Sequence, residues 1–211
     1  MESPREECHS KVLSNLRRQF WLGKQKYLTL HSNSAKQYAI LYVTDGGEGQ
    51  PEFIAKSGQL VKPDTILQVH QLLGMKTSGL FHYPPNPDFN YCIAKPRQEL
   101  GTFVHTEEVL LVEVFPEIER QVFHYGTTDE KEVRFVYLYT YFLPCERCLA
   151  DVIQPFRSRL QDSYSDPVPK LIIGYSEFQP GRNNPRLLSE MRLKNIRKYL
   201  EEKEAGEIHR I

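Results

Sequence analysis

Residues 133–153 read VRFVYLYTYFLPCERCLADVI. The first ten of them are almost all aromatic, β-branched or leucine, which predicts the strongest strand of the sequence over 133–142. Pro144 then stands where the first turn of a helix has no N–H to lose, and residues 145–160 are predicted to be helical. A strand that passes directly into a helix is the first half of a β-α-β unit, so this stretch sets the fold.

Hydrophobic spacing along the rest of the chain predicts the elements around this unit. The predicted elements are a helix over 10–22, strands over 36–44 and 52–57 that form a hairpin, a helix over 105–123, a strand over 169–178 and a helix over 184–205. Pro116 and Pro155 are expected to end or kink their helices. Strands alternate with helices in the second half, so we expect an α/β fold with one mixed sheet flanked by helices.

The length of 211 residues favours a single domain over 1–211. Residues 58–100 interrupt the pattern with a proline-rich passage, which we interpret as an insert on the surface of that domain. Within it, a helix is predicted from Pro63 to Leu73, and one short strand is predicted over Tyr91–Ala94.

Charge and hydropathy limit the function classes. The net charge is zero, with 27 basic and 27 acidic residues, so the chain lacks the overall positive charge that drives non-specific DNA binding. The segment from Cys8 to Thr44 has no acidic residue, and it is either a solvated face or a phosphate-binding patch. No transmembrane run and no secretory signal are found, so we expect no membrane partner and a cytoplasmic or nuclear protein that is not secreted.

Cys145 and Cys148 lie three residues apart on one face of the predicted helix start. The helix dipole there favours thiolate, and two thiolates can bind one zinc ion. Two other interpretations stay open, because free cysteines are often packed in cores and a Cys-x-x-Cys pair can also be a redox motif.

His105 and Glu107 stand at another predicted helix start. Among seven histidines, His105 alone is followed two residues later by a carboxylate. It could be a third zinc ligand, with Glu107 beside an open fourth position where water would bind, as in catalytic zinc sites. Alternatively, His105 caps the helix and Glu107 only stabilises the helix dipole.

The combination of His105-x-Glu107 with Pro144-Cys145-x-x-Cys148 resembles the signature of the zinc-dependent cytidine deaminase-like superfamily. The basic first helix, AILYVT and HTEEVLLVEVF look most like the AID/APOBEC polynucleotide deaminases. The resemblance implies a three-layer α/β/α fold with a central mixed sheet, a β1–β2 hairpin followed by β-α-β units. It implies that His105, Cys145 and Cys148 bind Zn²⁺ and that Glu107 shuttles protons.

The resemblance further implies a hydrolase that removes the amine from cytosine in single-stranded DNA or RNA, or in a nucleoside. Tyr141 and Phe142 end their strand where binding sites gather, and they are candidates for contacting the substrate base, although alternating aromatic residues are also typical of a core. A different class of function also fits, namely a catalytically silent nucleic-acid-binding or scaffold protein of the same fold with structural zinc. The sequence predicts no oligomeric state.

Overall fold

The computed structural model describes residues 9–17, 39–44, 91–94, 97–99, 102–119, 133–165, 167–178, 185–202 and 204–211. The strands are β1 (Ala39–Thr44), β2 (Tyr91–Ala94), β3 (Arg97–Glu99), β4 (Thr102–Val104), β5 (Phe135–Phe142), β6 (Lys170–Glu177) and β7 (Gly206–Arg210). The helices are α1 (9–17), α2 (Thr106–Glu108 continuing through Val109–Val114 and Phe115–Ile118), α3 (Glu146–Cys148 continuing through Leu149–Ile153 and Gln154–Ser163) and α4 (Pro185–Glu202).

β5 is the middle strand of a five-stranded mixed sheet with the order β2-β1-β5-β6-β7. β1 runs antiparallel to both of its neighbours, and Leu41 lies opposite Leu138 of β5. β5, β6 and β7 are parallel, because α3 and α4 carry the chain back between them. The expectation of a mixed α/β fold is therefore confirmed, and the predicted strand over 133–142 lies at its centre.

Helices cover both faces of this sheet. The main core lies on the face that α2, α3 and α4 cover, with Leu138 and Ile173 of the sheet among its members. A second, smaller core lies on the other face, where α1 packs against Tyr139. Gly174 allows α1 to come close, since a Cβ atom there would lie 2.9 Å from the Leu13 side chain. Within the described ranges, no helix is both long enough and apolar enough to cross a membrane.

The predictions for the first half of the chain and for the sheet edges met different outcomes. Residues 91–94 form β2, as predicted, and they pair with Ala39–Tyr42 of β1, so the last part of the predicted insert contributes to the central sheet. The predicted strand over 52–57 and the helix from Pro63 to Leu73 lie outside the described residues. β7 was not predicted at all, and neither was the small antiparallel pair of β3 and β4.

Prolines alter two helices without ending them. α2 continues past Pro116 to Ile118, and α3 continues past Pro155 to Ser163. In both helices the turns just before the proline are π-helical, over Val109–Val114 and Leu149–Ile153. Proline lacks the N–H that an α-helical turn needs, and a widened turn accommodates that loss. The first turn of each helix, which carries the candidate site, keeps α-helical geometry.

Candidate metal centre

Two helix starts meet at the carboxyl end of β5. β4 leads directly into α2, whose first residue is Thr106, and β5 leads through Leu143 and Pro144 into α3. The residue before each helix has an extended backbone, with ψ of 158° at His105 and 171° at Cys145. His105 and Cys145 therefore each precede the first helical residue, and their side chains meet between the two helix starts.

The structure brings together the three predicted metal donors. Nδ1 of His105 lies 3.0 Å from Sγ of Cys148 and 3.5 Å from Sγ of Cys145, and the two sulfur atoms are 3.5 Å apart. A tetrahedral zinc ion with Zn–S of about 2.3 Å and Zn–N of about 2.0–2.1 Å requires S–S edges of about 3.8 Å and S–N edges of about 3.6 Å. The donor atoms thus form a triangle of nearly the size that one ion needs, and the group could hold a metal ion.

The side chain of His105 does not cap α2. Although His105 occupies the capping position, its ring makes no capping hydrogen bond and is directed to the two cysteines. Cys145 does cap its own helix, because its sulfur accepts a hydrogen bond from the backbone N–H of Cys148 at 3.4 Å. Both cysteines are free, with Cys148 buried and Cys145 half-buried. His105 is thus the N-cap residue of α2 by position, and its side chain contacts the cysteines instead of capping the helix.

Hydrogen bonds among the three donors shift the pKa values of all three side chains. Hydrogen bonding with Cys148 lowers the pKa of Cys145 to about 3, although burial opposes this shift. The same hydrogen bond, together with burial, raises the pKa of Cys148. Hydrogen bonding with Cys145 raises the pKa of His105. A thiolate that draws protons onto its neighbours is a strong donor for a cation, because a bound metal ion replaces those protons.

Glu107 lies in the first turn of α2 and is buried, with only 2% of its surface exposed. The Thr106 hydroxyl donates a hydrogen bond of 2.9 Å to its Oε2 atom. Burial raises the pKa of this carboxyl, and the hydrogen bond from Thr106 opposes the shift. A raised carboxyl pKa suits a group that accepts and returns a proton near neutral pH. A carboxylate can interact favourably with the helix dipole while it is exposed, and burial only adds a desolvation cost to that interaction.

Tyr141 and Phe142 are the last two residues of β5, and both are half-buried. Tyr141 packs against the second core on the α1 side. The two rings meet edge to face at 4.9 Å, so Phe142 stays beside Tyr141 at the end of the strand. Both predicted substrate contacts thus lie at the carboxyl end of β5, four and three residues before Cys145.

Two residues near the site were not predicted from the sequence. The Thr106 hydroxyl donates a hydrogen bond to Glu107. Its position between His105 and Glu107 could have identified it as a candidate from the sequence. Arg147 of α3 lies 3.6 Å from Glu108 of α2 and so joins the two helix starts at the surface. No sequence spacing connects Arg147 with Glu108, since they belong to separate helices. An ion pair this exposed contributes little to stability.

Comparison with known proteins adds no family to this picture. The chain matches no protein-family model, and neither a curated protein nor a solved structure shows significant similarity to it. The chemistry of the chain has to be inferred from its own residues.

Proposed function

We propose that this chain is a zinc-dependent hydrolytic deaminase that acts on cytosine, either in single-stranded DNA or RNA or in a nucleoside. One observation carries the proposal: the donor atoms of His105, Cys145 and Cys148 lie within 4.8 Å of one another. Glu107, two residues after His105 in the first turn of α2, adds a buried carboxyl. The mixed sheet with helices on both faces also agrees with the cytidine deaminase-like fold that the resemblance implies.

The donor set favours zinc over other biological cations. Two thiolates and one imidazole are soft or borderline ligands, which suit Zn²⁺ and do not suit Mg²⁺ or Ca²⁺. Three protein ligands leave one position of a tetrahedron open, as in catalytic zinc sites, whereas structural sites have four protein ligands. The spacing of the sulfur and nitrogen atoms fits one such ion. A zinc ion bound there supplies a Lewis acid that makes water reactive at neutral pH.

The residues of the chain supply orientation and proton transfer. His105 and Cys145 fix the donor triangle from two different helices, and the α3 backbone holds the Cys145 sulfur in place. Glu107 takes a proton from the attacking water and returns it to the leaving amine, so that cytosine and water become uracil and ammonia. Thr106 keeps the Glu107 carboxyl oriented through its hydroxyl.

The same chemistry limits the form of the substrate. The amine-bearing carbon of cytosine is inaccessible in a paired duplex, so a polymeric substrate must present the base unpaired or flipped out. Tyr141 and Phe142, at the carboxyl end of β5 just before the donor turn, are proposed to contact that base. Stacking of a base on an aromatic ring contributes about 1–3 kcal/mol and tolerates any base, so these rings would add affinity more than specificity.

The experiment compares three zinc-loaded proteins: wild type, Glu107→Gln and Glu108→Gln. Each is incubated with cytidine, dCMP and a single-stranded oligonucleotide, and mass spectrometry follows the conversion of cytosine to uracil. We expect Glu107→Gln to bind zinc and to lose about 10²- to 10⁴-fold in turnover, the usual value of a general acid–base group. Glu108→Gln, its neighbour, removes only the exposed ion pair with Arg147, which contributes little, and should keep its activity.

Two results would contradict the proposal. A Glu107→Gln protein with wild-type turnover would remove the proton shuttle. A zinc-loaded wild type that converts no cytosine in any of the three substrates, yet binds the oligonucleotide as well as Glu107→Gln does, would instead identify a silent nucleic-acid-binding protein with structural zinc.

A further inference from the structure

We propose that Arg210, held over the ring of Phe178, binds a phosphate group of the substrate, so that the chain acts on phosphate-bearing cytosine rather than on free cytidine. This inference rests on the proposed function, since it deepens the description of the same site. Neither residue belongs to the metal centre, and the position of Arg210 follows from β7, which the sequence did not reveal.

Arg210 lies at the same edge of the sheet as the metal donors. β5, β6 and β7 are parallel, and the donor turn follows the carboxyl end of β5. Arg210 ends β7 and lies opposite Tyr175 of β6, which in turn lies opposite Thr140 of β5. Ligands of open α/β sheets bind outside the carboxyl ends of the strands, which is where both groups are found.

Arg210 also belongs to the same face of the sheet. Ile208 points into the main core under α4, and alternation along β7 places Arg210 on that face as well. Its guanidinium carbon lies 5.2 Å from the ring centroid of Phe178, and Phe178 itself packs against the main core. Two strand spacings separate β7 from β5, which is about 10 Å. A nucleotide whose base reaches the metal centre extends over a distance of this order to its phosphate.

The charge of Arg210 is available to a ligand. The residue is exposed, and in the portion of the chain that the structure describes, no carboxylate pairs with its guanidinium. The guanidinium lies over the Phe178 ring, and contact with an aromatic face leaves N–H groups at the guanidinium edge that can form two parallel hydrogen bonds with phosphate oxygens. Phe178 is held in turn by Tyr175, with ring centroids 5.8 Å apart. An oriented arginine at a ligand-binding edge is well suited to recognise phosphate.

The test measures binding, which does not depend on turnover. Zinc-loaded wild type, Arg210→Gln, Arg210→Lys and Lys198→Gln are compared. Calorimetry gives the Kd for cytidine and for dCMP, and fluorescence anisotropy gives the Kd for a fluorescein-labelled single-stranded oligo(dC). Lys198 is the matched control, because it is an exposed cation near the carboxyl end of α4, where it pairs with Glu202.

We expect Arg210→Gln to raise the Kd for dCMP and for the strand by about ten- to a hundred-fold, the value of a charge-assisted hydrogen bond. Cytidine binding should be unchanged, Arg210→Lys should recover part of the affinity, and Lys198→Gln should behave as wild type. The salt dependence of strand binding should weaken by about 0.7 in log–log slope if one phosphate contact is lost. A loss seen for the strand but not for dCMP would assign the contact to a neighbouring nucleotide's phosphate.

Three outcomes would overturn the inference: unchanged Kd values for both phosphate-bearing ligands, an equal loss for cytidine, or a wild type that binds neither dCMP nor the strand. The result is separable from the proposed function. A protein that loses phosphate-dependent binding with Arg210→Gln but deaminates nothing would retain the Arg210 assignment and refute the deaminase. A protein that deaminates cytidine and dCMP equally well, with or without Arg210, would support the deaminase and refute the Arg210 assignment.

Discussion

Sγ of Cys148 lies 3.0 Å from Nδ1 of His105, although the two residues are 43 positions apart. This contact joins the first turns of α2 and α3. Together with the Cys145 sulfur, the two side chains form a group that could hold a metal ion.

Zinc should stabilise the folded protein. Because the donor triangle exists only when α2 and α3 are packed together, zinc binds the native state and not the unfolded chain, and the melting temperature should rise with zinc. We expect treatment with a chelator to lower it by several degrees, about 2–4 °C for each kcal/mol in a chain of this size, and added zinc to restore it. The measurement is thermal unfolding followed by circular dichroism. His105→Ala should melt at one temperature whether or not zinc is added.

Protons should compete with zinc for the donors. Hydrogen bonding with Cys145 raises the pKa of His105, so the imidazole retains its proton to higher pH than an isolated histidine, and burial and hydrogen bonding raise the pKa of Cys148. Zinc binding must displace these protons, and its affinity should therefore fall as the pH falls. A titration against a competing chelator at pH 8 and at pH 6 measures the change. An affinity independent of pH would show that these residues are not the ligands.

Thr106→Val should reduce turnover without removing zinc. Thr106 is fully buried, and its hydroxyl donates to Glu107. Valine fills nearly the same space but leaves the carboxyl without this donor, so the proton shuttle loses its orientation. We expect turnover to fall about ten-fold, the cost of one hydrogen bond, while the zinc content stays at the wild-type level. Thr106→Ser, which keeps the hydroxyl, serves as the control and should keep most of the activity.

The far ends of α2 and α3 are joined by a separate polar contact. Glu119 accepts hydrogen bonds from Arg159 and Tyr164, and Arg159 also lies over the ring of Phe115 at 5.4 Å. Thirteen residues of helix separate Glu119 from Thr106, which is about 20 Å. Tyr164→Phe should destabilise the fold by about 1 kcal/mol, as denaturant unfolding would show.

Combining Tyr164→Phe with Cys145→Ser tests whether the two contacts are independent. The effects of mutations at sites this far apart on the free energy of unfolding usually add within about 0.5 kcal/mol. The double mutant should therefore lose the sum of the stabilities lost by the two single mutants. A much smaller combined loss would mean that the polar contact acts through the metal centre.

Parts of the fold that bury continuous apolar runs were predictable. β5 and β6 are covered on both faces: every residue of β5 except Thr140 is apolar or aromatic, and β6 carries the apolar run Leu171–Ile173. Their predicted bounds differ from the observed ones by no more than two residues. β7 was missed because its sequence, GEIHR, belongs to a strand at the sheet edge, where only Ile208 is buried. The pairing of Tyr91–Ala94 with β1 was not predicted, because the two strands are far apart along the chain and turn residues favour local hairpins.

The candidate site was predictable in its donors and less so in its surroundings. A cysteine pair at a helix start and a His-x-Glu at another carry their chemistry in the local sequence, so His105, Cys145 and Cys148 could be identified as candidates. Tyr141 and Phe142 end β5 as predicted, and their contact with a substrate base stays a prediction. Arg210 could not be found, since its proximity to Phe178 depends on the pairing of β7 with β6.

Zinc content measured by elemental analysis, on protein purified without added metal, tests the central claim most directly. The account predicts about one zinc per chain in wild type, which is the stoichiometry of a single site with three protein ligands. It predicts that Cys145→Ser, with the softest donor removed, loses most of that zinc while a distant control such as Lys198→Gln retains it. A folded wild-type protein without zinc, or a Cys145→Ser protein with full zinc, would contradict it.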